Sequence, residues 1–345
     1  MINNSQRSSG DSRDLNTENN TNSSSEVYSY VAPWFVYAFN FCCNPQYPFL
    51  LGLGSFIEDT NNEIQIVQLN PEENKFDLKT TIQHAYSPTK IMWVPDTEGK
   101  HPNLMASSSD HLRLWKYEEN QATMVSTLIN NRHSDYCGPL TSFDWNQHDL
   151  SMIGTASIDS TCTIWDLEKQ AMKKQILTHT KEVNDIAFGH DPFTFASVGA
   201  DGSVRKFDLR SLEQCTILFE SQGYNPLLRL AWNKMDPNFI ATIMMDSLSV
   251  TIIDIRSPGM PIAELHSHQN FVNTISWSPN QSCYVCTAGD DRQALIWDLQ
   301  RNLGEVREPM MVYVSEAEIV NLNWSALQPN WVGIAFNKTL QLLKL

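Results

Sequence analysis

Short apolar runs, each too brief for an amphipathic helix, alternate with turn-forming residues along most of the chain. From Val27 onward a six-residue phrase recurs: apolar, two variable, apolar, small or polar, aromatic. It reads VYAFNF to Phe41, PTKIMW to Trp93, LTSFDW to Trp145, VNDIAF to Phe188, LLRLAW to Trp232, VNTISW to Trp277 and IVNLNW to Trp324. The closing aromatics lie 43 to 52 residues apart. A second apolar landmark follows each by 19 to 25 residues, at Ile66, Trp115, Trp165, Phe207, Ile253, Trp297 and Leu343. Two landmarks in step over seven copies predict seven small antiparallel sheets in one ring, since no unit of this size buries its faces alone. Turn chemistry punctuates the copies at Asn61-Asn62, Asp201-Gly202, Asp236-Pro237-Asn238 and Gln328-Pro329-Asn330.

The unit from Leu265 to Leu299 is the best preserved. VNTISW, CYVCTAG and ALIWD read as three strands parted by Ser278-Pro279-Asn280 and by DDRQ. His268 precedes them, Thr287 lies ten residues before Trp297, and Asp291 lies six before it. On these residues the unit resembles a WD-repeat propeller blade. The resemblance implies a structural array in which Asp291 accepts from His268, His268 bonds Thr287, and the Thr287 hydroxyl meets the Trp297 indole N–H. His268, Thr287 and Asp291 also have the residue types of a catalytic base, nucleophile and orienting acid. A catalytic triad occurs once, at a cleft, whereas these positions recur. Blade three keeps Thr155, Asp159 and Trp165 with Tyr136 at the His position, and blade four keeps His179, Ser197 and Asp201 with Phe207, which has no N–H to offer. Blade five keeps Thr242 and Asp246 without a His, and blades one, two and seven match by strand pattern only. The array is therefore read as structural, and the landmark tryptophans as packing between blades.

The ends of the chain are complementary. Leu345 comes two residues after the last landmark, so blade seven needs an outer strand from elsewhere, and Glu26 to Val31 alternates as a strand that closes the ring. Residues 1–25 hold six Asn and seven Ser with almost no large apolar residue, and are expected to form a disordered leader before a propeller spanning 26–345.

Composition narrows the class. Hydrophobic residues make up 41% of the chain, with 10 Trp and 15 Phe, enough for an extensive core. No apolar run approaches about 18 residues and the N-terminus is polar, so neither a membrane span nor a secretory signal is expected. Seven scattered cysteines, several in apolar runs, fit reduced thiols. Cys283 and Cys286 form a CxxC with no second pair, which argues against zinc. The net charge of -15 disfavours direct nucleic-acid binding and favours basic protein segments as partners.

Individual segments are more specific than the repeat. PLTSFDWN (139–146), SIDSTCTIWD (157–166), FASVGADGSVRKFDLR (195–210), PLLRLAWNKMDPN (226–238), QALIWD (293–298) and QPNWVGIAF (328–336) resemble the WD repeat-containing protein 68 family. That family includes the plant transparent testa glabra proteins and is also named for cullin-4 association. The resemblance covers residues 26–345. It implies a non-enzymatic, monomeric seven-bladed scaffold of cytoplasm and nucleus, without cofactor or metal. The partners it implies are dual-specificity tyrosine-regulated and homeodomain-interacting kinases, or MYB and basic helix-loop-helix transcription factors. Phe207 and the start FCCNPQYPFLLGLGSF depart from the family's pattern.

A second class is a substrate receptor of a cullin-4 ubiquitin ligase. Such receptors end a repeat in a WDxR-type motif, and FDLR (Asp208, Arg210) and IDIR (Asp254, Arg256) are similar with the Trp replaced. The two arginines offer charge-assisted forks to an adaptor, or else close a blade corner. An enzyme finds little support: GxxxxGK[ST], HExxH and GxSxG are absent, and Gly52-Leu53-Gly54 lacks the third glycine of a dinucleotide loop.

Overall fold

The computed structural model describes residues 26–129, 138–300 and 304–345. The expected leader at 1–25 and Tyr136 lie outside them. The described residues form a seven-bladed β-propeller. Each recurring phrase supplies the innermost strand of a blade: Phe35–Phe41, Lys90–Trp93, Leu140–Trp145, Val183–Phe188, Leu227–Trp232, Val272–Trp277 and Asn321–Trp324. The second landmark falls in the third strand of its blade, as Trp297 does in Gln293–Asp298 and Trp165 in Thr161–Asp166.

The burial pattern follows from stacking. A second strand is covered by neighbouring blades on both faces, so Met152–Ser157 and Trp331–Phe336 are buried at every position. An outer strand keeps one face in water, and Ala171–Leu177 is mostly exposed. The buried apolar side chains fall into seven clusters, one at each seam between blades. Packing there is close enough to require glycine: a Cβ on Gly333 would come 2.7 Å from Phe39 of blade one.

Val27–Val31 closes the ring. It pairs antiparallel with Thr339–Lys344, from Val27 opposite Leu343 to Val31 opposite Thr339. The Lys344 and Ala32 N–H groups donate to the Glu26 and Lys338 carbonyls, extending the ladder at both ends. One strand was not foreseen: Gly304–Val306, in the connection after the third strand of blade six, pairs parallel with Pro261–His266 and gives blade five a fifth, outermost strand. It covers an edge that would otherwise expose unpaired backbone groups.

Antiparallel order within each blade divides the connections between two faces. Turns between second and third strands, and loops from one blade to the next, lie on the face called here the crossing face. Turns from first to second and from third to fourth strands lie on the opposite face. A chain beginning at Ala32 is expected to melt several degrees below one beginning at Glu26, or to be insoluble, because blade seven then ends in an open edge; equal melting temperatures would contradict closure by this strand.

Candidate functional site

The innermost strands surround an axial cavity of about 260 Å³, lined from all seven blades. Each of these strands is an edge strand facing the axis, so its free N–H and C=O groups need partners. The polar slots of the phrase supply them to the next blade. At the second slot, Thr89, Thr141, Asn184 and Asn273 donate to the carbonyls of Leu140, Val183, Leu227 and Ile319 at 3.1, 2.6, 2.8 and 2.9 Å. At the fifth slot, Asn40, Asp144 and Ser276 accept from the N–H groups of Trp93, Phe188 and Trp324 at 3.2, 2.7 and 3.2 Å. Asn321 and Asn323 carry the stitch back to the Tyr37 and Phe39 carbonyls of blade one.

Charged groups in the cavity belong to the same stitching. Asp185 accepts from the Ser142 hydroxyl at 2.6 Å and from the Ile186 and Leu230 N–H groups at 2.9 Å each, with Lys90 3.6 Å away. Lys234 reaches Asp144 at 3.3 Å and the Phe188 carbonyl at 2.6 Å. The seam between blades five and six is the exception. Its slots hold Leu228, Arg229 and Ala231, and the Arg229 side chain has no hydrogen bond or ion pair among the described residues. The Trp277 indole donates to the Ala231 carbonyl there instead, at 2.9 Å.

The blade arrays lie on the crossing face. In blade six, His268 Nδ1 is 2.9 Å from Asp291 and Nε2 is 2.7 Å from the Thr287 hydroxyl, which accepts the Trp297 indole N–H at 2.9 Å. The side chains of His268 and Asp291 are 0% and 3% exposed, so no substrate can reach them in this conformation. Burial alone would raise the Asp291 carboxyl, but donors from His268, Gln269 and Gln293 hold it below the usual carboxylate range. In blade four, His179 lies 2.9 Å from both Asp201 and Ser197, and Phe207 stacks on Phe195 at 5.1 Å in place of an indole donor. In blade three, Thr155 accepts the Trp165 indole N–H at 3.0 Å, while Asp159 bonds Thr161 within its own turn. In blade five, Thr242 donates to the Arg229 carbonyl and Asp246 stays exposed.

Blade two corrects the expectation that it matches by strand pattern only. Ser107 joins His84 at 3.1 Å to the Trp115 indole at 2.9 Å. The Tyr86 carbonyl, 2.5 Å from His84 Nδ1, takes the place of the aspartate. A carbonyl only accepts, so Nδ1 carries the proton, Nε2 accepts from Ser107, and the Ser107 oxygen accepts from the indole. Ser107 lies 8 residues before its tryptophan where Thr287 lies 10, so a fixed spacing passes over it. Four of the first-strand tryptophans also have a polar role beyond packing. Trp145, Trp232 and Trp324 each donate to the carbonyl five residues on, at Leu150, Pro237 and Pro329, pinning the following turn. Trp277 instead bonds Ala231 across the seam.

On the opposite face, Arg210 and Arg256 fold back on their own motifs. Each donates through Nε and Nη2 to Asp208 or Asp254, with closest distances of 2.6 Å. Their side chains remain 62% and 63% exposed, and Arg210 lies over the Phe193 ring. The Arg210 guanidinium holds the Asp208 carboxyl at about 2. Among the described residues no group of three or more His, Cys, Asp or Glu is placed to hold a metal ion, and burial pushes the Cys162 thiol up to about 12.

Seven small sheets, six of four strands and one of five, stitched around an axis and tied in several blades by His, Ser or Thr, and Trp, define a WD-repeat propeller. The model for the WD domain, G-beta repeat, matches residues 172–208 and 259–298. The DDB1- and CUL4-associated factor 7 homolog of Dictyostelium discoideum is 48% identical over 319 residues, covering 92% of this chain and 98% of that protein. An uncharacterised WD repeat-containing protein of Schizosaccharomyces pombe is 32% identical over 92% of this chain and 90% of its own length. A WD repeat-containing protein of Saccharomyces cerevisiae is 35% identical over 74% of this chain and 55% of its own. The chain belongs to the family of cullin-4-associated WD-repeat factors that the Dictyostelium protein represents.

Two outcomes follow from the arrays. Ser107→Ala strands both His84 and the Trp115 indole and is expected to cost about 1–3 kcal/mol, as is Thr287→Val; chemical denaturation measures both, and a loss of only a few tenths would contradict the blade-two array. The pH dependence has a definite sign. Burial lowers the His84 imidazole more than the Tyr86 carbonyl raises it. The unfolded chain therefore takes up the extra proton, and this contribution is complete above about pH 6.5 and lost progressively below it, as pH falls towards the lowered folded-state value. Melting temperature should fall from pH 7.5 to 5, and His84→Gln should be less stable at pH 7.5 but with a shallower fall. Some slope should remain from His148, lowered by burial and by His190. Parallel curves for the two proteins would refute the role of His84.

Proposed function

We propose that the protein is a non-enzymatic scaffold of the cytoplasm and nucleus that brings regulatory kinases and transcription factors together. The observation that carries this reading is the enclosure of every triad-like set: the His179 and His268 side chains are 0% exposed and bonded at both nitrogens to structural partners. What the molecule offers to solvent is surface, and a stitched ring holds that surface rigid for docking. The excess of acidic residues suits basic segments, as kinases and helix-loop-helix factors carry. The likeness of PLTSFDWN and FASVGADGSVRKFDLR to the WD repeat-containing protein 68 and transparent testa glabra group supports dual-specificity tyrosine-regulated type kinases and MYB or basic helix-loop-helix factors as the partners. Affinity purification of the full chain from cells, with identification of bound proteins, should return such partners. Recovery of none of them would overturn the reading.

A second reading is favoured by a specific observation. The Dictyostelium relative is named for association with DDB1 and the cullin, and this chain carries Arg210 and Arg256 exposed on one face with their Nη1 atoms unbonded among the described residues. Each guanidinium is oriented by its own aspartate and keeps an edge for an adaptor, as a ligase substrate receptor needs. Arg210→Ala with Arg256→Ala should abolish co-purification of the adaptor while leaving the melting temperature unchanged within about 2 °C, because exposed substitutions of this kind change stability little. Undiminished adaptor recovery would remove this reading and leave the scaffold.

A further inference from the structure

The seam between blades five and six departs from the rest of the ring in its stitching, and its crossing-face rim gathers exposed apolar side chains. Tight turns favour Gly, Asn, Asp and Ser. The turn between the second and third strands of blade five instead places Met245 and Leu248, 42% and 47% exposed, either side of Asp246, which has φ 55°. Beside it stands Phe271, 40% exposed, in the loop entering blade six. Nothing inside the fold uses these side chains, and local rules broken without an internal gain mark a surface kept for binding.

The backbone beneath them is held from several sides. The Met245 N–H donates to the Pro226 carbonyl and the Val272 N–H to the Ser247 carbonyl, at 2.8 and 3.0 Å. The Asp290 N–H donates to the Phe271 carbonyl at 2.8 Å, and a Cβ on Gly289 would fall 2.0 Å from that oxygen. Only glycine admits this approach. The Ile319 N–H bonds the Gly289 carbonyl, and Asn273 ties Asp290 to the Ile319 carbonyl. Phe271 is thus an exposed aromatic on a fixed main chain, which is the form an anchor residue takes when little ordering entropy remains to be lost on binding.

Charge specifies the occupant. The turns gathered at this rim carry Asp246, Asp290, Glu316 and Glu318 without a cationic partner among the described residues, against a single cation, Arg292. Asp291 is already committed to His268. We infer that the crossing-face rim of blades five and six docks a linear segment of a partner protein that is basic and carries an apolar anchor seated among Met245, Leu248 and Phe271. The inference rests on the scaffold reading and names a surface for it.

The test selects random 15-residue peptides displayed on phage against the full chain at low salt. Recovered peptides should set Lys or Arg around an aromatic or aliphatic residue. A synthetic copy should bind about tenfold or more weakly, a change of about 1.4 kcal/mol, to the Leu248→Ser, Phe271→Ala variant. The same loss is expected with the Glu316→Lys, Glu318→Lys variant, whose positions are both exposed and free of positive φ. A Phe35→Ser, Phe56→Ser variant of blade one should bind as the parent does. Peptides without a basic bias, or binding indifferent to both seam variants, would overturn the proposal. Purification from cells with the same variants separates the two readings: partners recovered equally by parent and seam variants sink the rim alone, and no partner recovered by the parent sinks the scaffold.

Discussion

The structure depends on satisfying the backbone of strands that have no strand beside them. Seven innermost strands face one another across an axis too wide for a shared ladder, so their N–H and C=O groups must find side chains or water. Thr141, Ser142 and Asp144 reach into blade four, Asn184 and Asp185 into blade five, Asn273 and Ser276 into blade seven, and Asn321 and Asn323 back to blade one. Each such bond is worth about 0.5–1.5 kcal/mol net, more where a carboxylate accepts, and leaving the group unmade costs more. The outer edges obey the same rule with strands, through Val27–Val31 in blade seven and Gly304–Val306 in blade five.

This constraint accounts for where polar chemistry sits. The cavity holds Lys90, Asp144, Asp185 and Lys234, groups that in a cleft would suggest a reaction, yet each is spent on a neighbouring blade. The histidine arrays do the equivalent work one layer out, tying the loop that enters a blade to its second and third strands. Serine or threonine is interchangeable in that role because both offer one hydroxyl that donates to imidazole and accepts from indole. When the indole is lost, as at Phe207, ring stacking on Phe195 fills the volume and the hydroxyl keeps its histidine.

Much of this was legible in the sequence because hydrophobic spacing is what stacking selects. The landmark aromatics located the innermost strands, Glu26 to Val31 was readable as the closing strand, and the His268, Thr287, Asp291 and Trp297 side chains bond as the resemblance to a WD-repeat blade implied. The slots that read as variable to hydrophobicity were less legible: they differ in size and charge but share the ability to bond the next blade, which requires knowing the partner. His84 and Ser107 were hidden by a shortened turn and by a carbonyl standing in for aspartate, a substitution no side-chain pattern displays. Gly304–Val306 is too short to read as a strand and pairs parallel with another blade. The rim of blades five and six was invisible because exposure is a property of the assembled ring.

The central claim is that side chains of one blade complete the edge of the next, and native-state amide hydrogen exchange reads it most directly. The Trp93, Phe188, Leu230 and Trp324 N–H groups bond only to side chains of the preceding blade, through Asn40, Asp144, Asp185 and Ser276. They should exchange as slowly as ladder amides in the second strands, through global unfolding, and substituting Asp185 with Ala should release Leu230 selectively. Exchange of these four amides at the rate of exposed loop amides would contradict the account.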